Sequence, residues 1–402
     1  MGQSCSATRP QKKLAAFVIL KHSLDSLTLR PAERLAVPSG CFFLRQVELI
    51  LSVVRQPTMV ALLSLCVVMC SDGLSTATAQ TPSPPPETAS EKGSSQPRDS
   101  FQYAAALSKS LDSWNPRATE RLVGIIEELD DQRIVFVEGE KRRELPSNRV
   151  VQVEPIWRTQ AAAEAHKLFS ERKYREAKDA IAKAATNELP RWQQRFLVAE
   201  IVEVFAALGD NRIAGGVYLK SLAPNQPPPM LYGQLPMNWT TAEPDRALYE
   251  VAVEWLEQTE ECAQLLGASW LLLGPDRDAA RAKLLKLQNS KVEPIAALAV
   301  AQAWRLVPPP ETESKISEWL EYRDRLIPPL QIGPTEFLAD RFGRVGLTDL
   351  AIGQWSRIAA LHADRPYRAA LALASAQRLL TQQGRPEEAK RFQVWAEQFT
   401  WK

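Results

Sequence analysis

The chain has 402 residues, of which 45% are apolar and 24% charged, with a formal net charge of only +2. That length accommodates two or three domains with ample core, and that balance excludes a global field able to attract nucleic acid or an acidic membrane. Four of the five cysteines (Cys5, Cys41, Cys66, Cys70) lie near the start, and Cys262 sits alone in the apolar run CAQLLGASWLLL. The folded part is therefore expected to hold one buried, inert thiol and no disulfide.

Residues 1–58 are basic, Ser-rich and without sustained periodicity, and read as a poorly structured leader or a start-site extension. Met59 then opens MVALLSLCVVMCSDGLSTATAQ, whose apolar run has the length of a signal-peptide core and is short for a span. Ala77-Thr78-Ala79 places small residues before a cut at Gln80. Segment 59–79 is thus a signal peptide or, if uncleaved, a membrane anchor, and the expected address is the periplasm or cell envelope. Residues 80–100 are rich in Pro, Ser, Thr and Glu, which bury too little surface to fold, and are expected to form a disordered linker.

Over residues 101–155 the period changes to that of strands. The runs RLVGIIEEL, RIVFVEG, KRRELP and NRVVQVEP are split by Asp130-Asp131, Gly139-Glu140 and Pro146-Ser147. They predict four or five strands in a small all-β barrel or curled sheet. Their order, ending in a Leu-Pro-Ser-Asn turn before the last strand, resembles the small Src-homology-like barrels found beside repeat domains in exported bacterial proteins. Lys141-Arg142-Arg143 reads as an edge strand kept soluble by charge, in preference to a nucleic-acid or lipid contact.

From residue 156 to 402 the period is helical. Ala165 and Leu168, then Tyr174-Arg175-Glu176-Ala177 with Ile181 and Ala184, place small and large residues where two short helices would cross. This pattern resembles a tetratricopeptide repeat, and it recurs at Ala214, Ala280, Ala351 and Ala389, each after a turn (Gly209, Gly274, Gly346, Gly384). Between Ala280 and Ala351 there is room for one divergent pair. The copies are degenerate: Ala161 stands where the family has a large aromatic. The resemblance implies a mainly α fold, an α-solenoid of antiparallel helix pairs, each covering the apolar side of its neighbour. It also implies a groove lined by first-helix positions: His166, Phe169, Glu203, Asp340 and Arg378. A Pro-rich insert at 223–244 interrupts the array and adds the loop candidates Tyr232 and Trp239, which either pack on the helices or form a binding lip.

The catalytic inventory is thin. There is no Walker-type glycine loop, no GxSxG and no HExxH, and the SxxK match at Ser170–Lys173 falls in a repeat turn without its companion motifs. His166 and His362 lack metal-ligand spacing, and a charge interaction at a helix C-terminus is enough to explain His362. Trp255, Trp270, Trp304, Trp319, Trp355 and Trp395 lie in apolar helical runs and are expected to fill gaps between hairpins. No metal, no cofactor and no catalysis are expected. The reading is an exported, non-catalytic scaffold binding a protein or peptide partner through a helical groove. The alternative is a polysaccharide-degrading enzyme of helical toroid form, or a glycan-binding protein of the cell envelope. No nucleic-acid partner is expected, and membrane contact is expected only through the leader.

Overall fold

The computed structural model describes residues 98–104, 119–184 and 188–399. The expected leader, the 59–79 segment and nearly all of the 80–100 linker lie outside the described residues. Five antiparallel strands come first: β1 (Asp99–Ala104), β2 (Thr119–Leu129), β3 (Arg133–Glu138), β4 (Lys141–Pro146) and β5 (Val150–Glu154), in the order β4-β3-β2-β1-β5. A 3-10 turn over Ser147–Arg149 joins β4 to β5. The long strand β2 pairs with β1 through Thr119–Gly124 and with β3 beyond that, with a bulge between Ile126 and Glu128. The bulge resets the alternation. Leu122 and Ile126 point into the core, Glu127 and Glu128 both face water, and Leu129 turns inward again.

The first strand begins two residues earlier than the expected domain, inside the expected linker. Asp99 and Ser100 are in β1, and the reason is chemical rather than propensity. The buried Asp99 carboxylate accepts from Ile126 N (2.9 Å), Ile156 N (2.7 Å) and Arg158 Nη2 (3.1 Å), so it ties β1 to β2 and to the chain leaving β5. The basic edge is neutralised across the strands: Arg142 pairs with Glu127 (2.8 Å) and Arg143 with Glu138 (2.7 Å).

The rest is helical: α1 (Gln160–Ser170), α2 (Tyr174–Ala184), α3 (Arg191–Ala207), α4 (Asn211–Val217), α5 (Arg246–Glu257), α6 (Glu261–Leu271), α7 (Arg277–Leu287), α8 (Glu293–Ala303), α9 (Thr312–Arg325), α10 (Pro328–Arg344), α11 (Thr348–Leu361), α12 (Pro366–Gln382) and α13 (Pro386–Glu397). Helices next to each other in sequence pack on each other, with Ala165, Ala177, Ala214, Ala280, Ala351 and Ala389 buried at the crossings. Gly209, Gly346 and Gly384 take left-handed φ values (84°, 83° and 70°) in the turns, which only glycine adopts without strain. Gly274 does not, and Arg172 fills the left-handed position of the first turn at φ 55°. Asp210 and Asp245 cap α4 and α5 by accepting from Ile213 N and Leu248 N.

The sheet and the helices share one core, so the expected boundary at 155 is not a boundary between cores. Trp192 of α3 donates to Ile126 O (3.2 Å), and Arg195 donates to Leu129 O (2.8 Å) and Asn225 O (2.6 Å). Five of the six expected gap-filling tryptophans are buried, and Trp395, on the last helix, is half-buried. Trp304 and Trp319 stack at 5.6 Å, and Trp255, Trp270 and Trp355 are buried. Among the described residues, no helix is long and apolar enough to cross a membrane.

The Pro-rich insert packs on the helices. Met230, Leu231, Tyr232, Leu235, Met237 and Trp239 are all buried, and the 3-10 stretch Pro229–Gln234 packs on α3, α10 and β5. A Cβ built on Gly333 would meet the Trp239 ring at 2.1 Å, so α10 is open to Trp239 only because that residue is glycine. Tyr232 and Trp239 are both buried, and Trp239 also reaches a cavity wall.

Candidate functional site

The chain returns on itself. The Tyr174 and Tyr367 rings meet edge to face at 6.4 Å, Arg172 lies 5.8 Å from the Phe399 ring, and Arg365 pairs with the buried Glu203 at 2.9 Å. Between the first and last hairpins this leaves a cavity of about 790 Å³. Its walls come from the end of β5, from α1 and α3, from the insert, from the α11–α12 connection and from Phe399.

Helical spacing puts the polar and apolar parts side by side. His166, Phe169 and Ser170 fall on one face of α1, and Phe196 and Glu200 lie one turn apart on α3. Nδ1 of His166 and Oε1 of Glu200 are 2.6 Å apart, with the Trp157 ring 5.4 Å from the imidazole. Burial opposes the charged imidazole, but the hydrogen bond and charge of Glu200 outweigh it and raise His166 above its ordinary value. Burial raises Glu200 as well, against the pull of His166. The two groups therefore titrate as a coupled pair. The other carboxylate oxygen of Glu200 is buried without a hydrogen-bond partner among the described residues.

Arg172 stands apart from this pair. Its guanidinium is half-buried, burial lowers its pKa, and among the described residues no carboxylate pairs with it. Arg365 differs: burial opposes its charge, but Glu203 and Asp364 more than compensate and raise it. Gln234, with its amide oriented by its neighbours, donates to Ala199 O (2.7 Å) and accepts from Arg365 Nη2 (2.6 Å).

No family model, curated protein or solved structure matches the chain. The site therefore has to be read from its own geometry.

Of the residues expected to line a groove, His166 and Phe169 stand together in the cavity. Glu203 is sealed behind it by Arg365. Asp340 pairs with Arg344 at 2.8 Å and lines a different cavity, on α10. Arg378 is exposed on α12 and lines neither. The five do not form one surface. Sequence reasoning missed Glu200, Phe196, Arg172, Arg365 and Phe399. Glu200 shares a helical stripe with Glu203, and that spacing was the one signal available. Arg365 and Phe399 become site residues only through the return of the chain.

Two further expectations change. His362 is buried and held at about 3, by burial first and then by the charges of Arg365 and Arg357. It is neutral, so it makes no charge interaction with the end of α11. Cys262 is buried, and burial pushes its thiol up to about 12, which leaves it unreactive. Among the described residues, no group of three or more His, Cys, Asp or Glu side chains is placed to hold a metal ion.

Proposed function

We propose that the chain is an exported, non-catalytic interaction protein that holds a segment of a protein or peptide partner between its first and last hairpins. One observation carries the reading: a cavity walled by Phe169, Phe196 and Phe399 contains a guanidinium, Arg172, with no carboxylate of the described residues to pair with. Apolar side chains of the partner sit against the three phenylalanines, and an acidic side chain or chain terminus meets Arg172. His166 and Glu200 offer a donor and an acceptor to its backbone.

In this reading the helices are an α-solenoid of tetratricopeptide-like pairs. The buried alanines at the crossings and the left-handed glycines in three of the turns support it. The strand order β4-β3-β2-β1-β5, with a 3-10 turn before β5, supports a Src-homology-like barrel. Export rests on the 59–79 segment and its small residues before Gln80.

The test is affinity capture from a cell-envelope extract with the full chain, its Arg172→Gln form and its Arg378→Gln form, followed by mass spectrometry. A partner retained by Arg378→Gln and lost by Arg172→Gln supports the reading. The same set on all three proteins refutes it. Sequencing the N-terminus of the cell-derived protein tests the address: a start at Gln80 supports a cleaved leader.

The alternative, an enzyme acting on polysaccharide, is favoured by a single feature, the His166–Glu200 pair beside a cavity. Against it, no tyrosine lines that cavity. Of its carboxylates, Glu154 is bound to Ser100 and Arg121 and Asp364 is near Arg365. Release of reducing ends from acidic polysaccharides, abolished by His166→Ala, would establish the enzyme.

A further inference from the structure

A second cavity, of about 390 Å³, lies among the insert, the α8–α9 connection and α10. Its walls are largely apolar: Trp239, Phe337, Leu306, Val307, Pro308 and Pro309. Three arginines, Arg277, Arg305 and Arg341, reach the lining, against one acid, Asp340.

The charges do not cancel. Asp340 is already paired with Arg344 at 2.8 Å. Arg305 is only 6% exposed, yet among the described residues no carboxylate pairs with it. It donates to Asn238 O (2.8 Å), Ser269 O (2.6 Å), Thr240 O (2.8 Å) and Gln302 Oε1 (2.8 Å), all neutral acceptors, and its Nε is buried with no partner. Arg341 donates to Val307 O (2.8 Å) and lies over the Phe337 ring at 5.2 Å. Arg277 is exposed and forms no ion pair with a described residue. Hydrogen bonds to carbonyl groups satisfy donors but leave the full positive charge, which is costly to bury. Burial accordingly pulls Arg305 down to about 10, with Asp340 resisting.

We propose that this cavity binds a monoanionic carboxylate carrying an apolar or aromatic body. Arg277 and Arg341 supply planar donors that match a carboxylate, and Arg305, whose Nη atoms are already bonded within the protein, adds its positive charge behind them. The rings and prolines cover the body, as in small-ligand pockets generally, with few polar groups fixing orientation. A dianion fits less well, because the apolar walls leave the second charge unsolvated. The same chemistry is offered by the C-terminal residue of a peptide and by a free aryl or alkyl acid.

Calorimetric titration of the full chain distinguishes them, using N-acetyl-phenylalanine, its amide, and 3-phenylpropionate as probes. The acids are expected to bind one per chain, and the amide at least about tenfold more weakly. Arg277→Gln, an exposed change that spares the fold, should weaken the acids by about tenfold, while Arg378→Gln, which lines neither cavity, leaves them unchanged. Arg341→Gln should do the same as Arg277→Gln, with circular dichroism confirming that it is folded. N-acetyl-phenylalanine binding tighter than 3-phenylpropionate assigns the site to peptide ends, and the reverse order assigns it to free acids. Equal binding of acid and amide, no binding of either acid, or loss with Arg172→Gln but not Arg277→Gln would overturn the proposal. The last result would place the acid in the first cavity.

Discussion

Two regions of the helical part face the same problem and solve it differently. Around α3, α8 and α10 the chain fills the space between its own helices with the insert, and fixes it there with hydrogen bonds. Trp270 donates to Pro236 O (3.0 Å), Gln302 to Asn238 O (3.0 Å), and Arg305 to Asn238 and Thr240 oxygens. At the seam between the first and last hairpins the insert reaches only the edge, where Met230 and Gln234 join the cavity wall and Gln234 bridges Ala199 O and Arg365. Two ring contacts and one buried ion pair span it, and a cavity remains. The comparison teaches that repeat-like helices do not by themselves decide where a ligand goes. The space left after the chain has packed its own loops decides it.

The sharpest way to break that comparison is Trp239→Ala. It leaves a large void against Gly333 and α10, and should lower stability by about 3–5 kcal/mol in urea denaturation. A loss under about 1 kcal/mol would mean the insert is not core, and the contrast with the seam would disappear.

Buried His362 and half-exposed His166 give opposite pH signatures, and the larger belongs to His362. Its folded value, about 3, is below the ordinary 6.5, so its contribution is present above 6.5 and is lost as pH falls toward 3. That contribution is about 5 kcal/mol at most, taking the whole shift as differential binding of one proton. The His362→Leu variant should lose less melting temperature than the parent between about pH 7 and pH 4. Parallel curves would show that His362 is not held neutral by burial. At the seam the sign reverses. His166 is raised, so its contribution is full below its ordinary value and is lost as pH rises through the folded value. The stability gap between parent and His166→Gln should therefore narrow on going from mildly acidic to alkaline buffer, and a widening gap would refute the coupling to Glu200.

How much of this was legible in the sequence follows the same division. Local patterns gave the strands β2 to β5, the buried alanines and three of the four glycine turns, because each depends on residues within a few positions. Strand β1 was hidden, since Asp99 and Ser100 resemble the polar linker before them and fold through contacts with Ile126 and Ile156. The cavity was half legible. Repeat register brought His166 and Phe169 to the right place, but the same register put Asp340 and Arg378 elsewhere, and no spacing rule joins Glu203 to Arg365 across 162 positions. The insert was read as packing or lip; its Met, Tyr and Trp content fits the packed outcome, whose seat is the small residue Gly333, far off in sequence.

The smallest expected effect separates binding from folding at the seam. Arg172 occupies a left-handed backbone conformation that costs a non-glycine residue about 1–2 kcal/mol. Its equivalents in three later turns are glycine. Keeping an arginine where glycine fits better makes sense if the guanidinium serves the cavity rather than the hairpin. Arg172→Gly should therefore leave stability unchanged or raise it by up to about 1 kcal/mol, while abolishing capture of the partner that the parent retains. If the variant is instead destabilised by about 1 kcal/mol or more, the stacking of Arg172 on Phe399 is what closes the seam, and the arginine is structural.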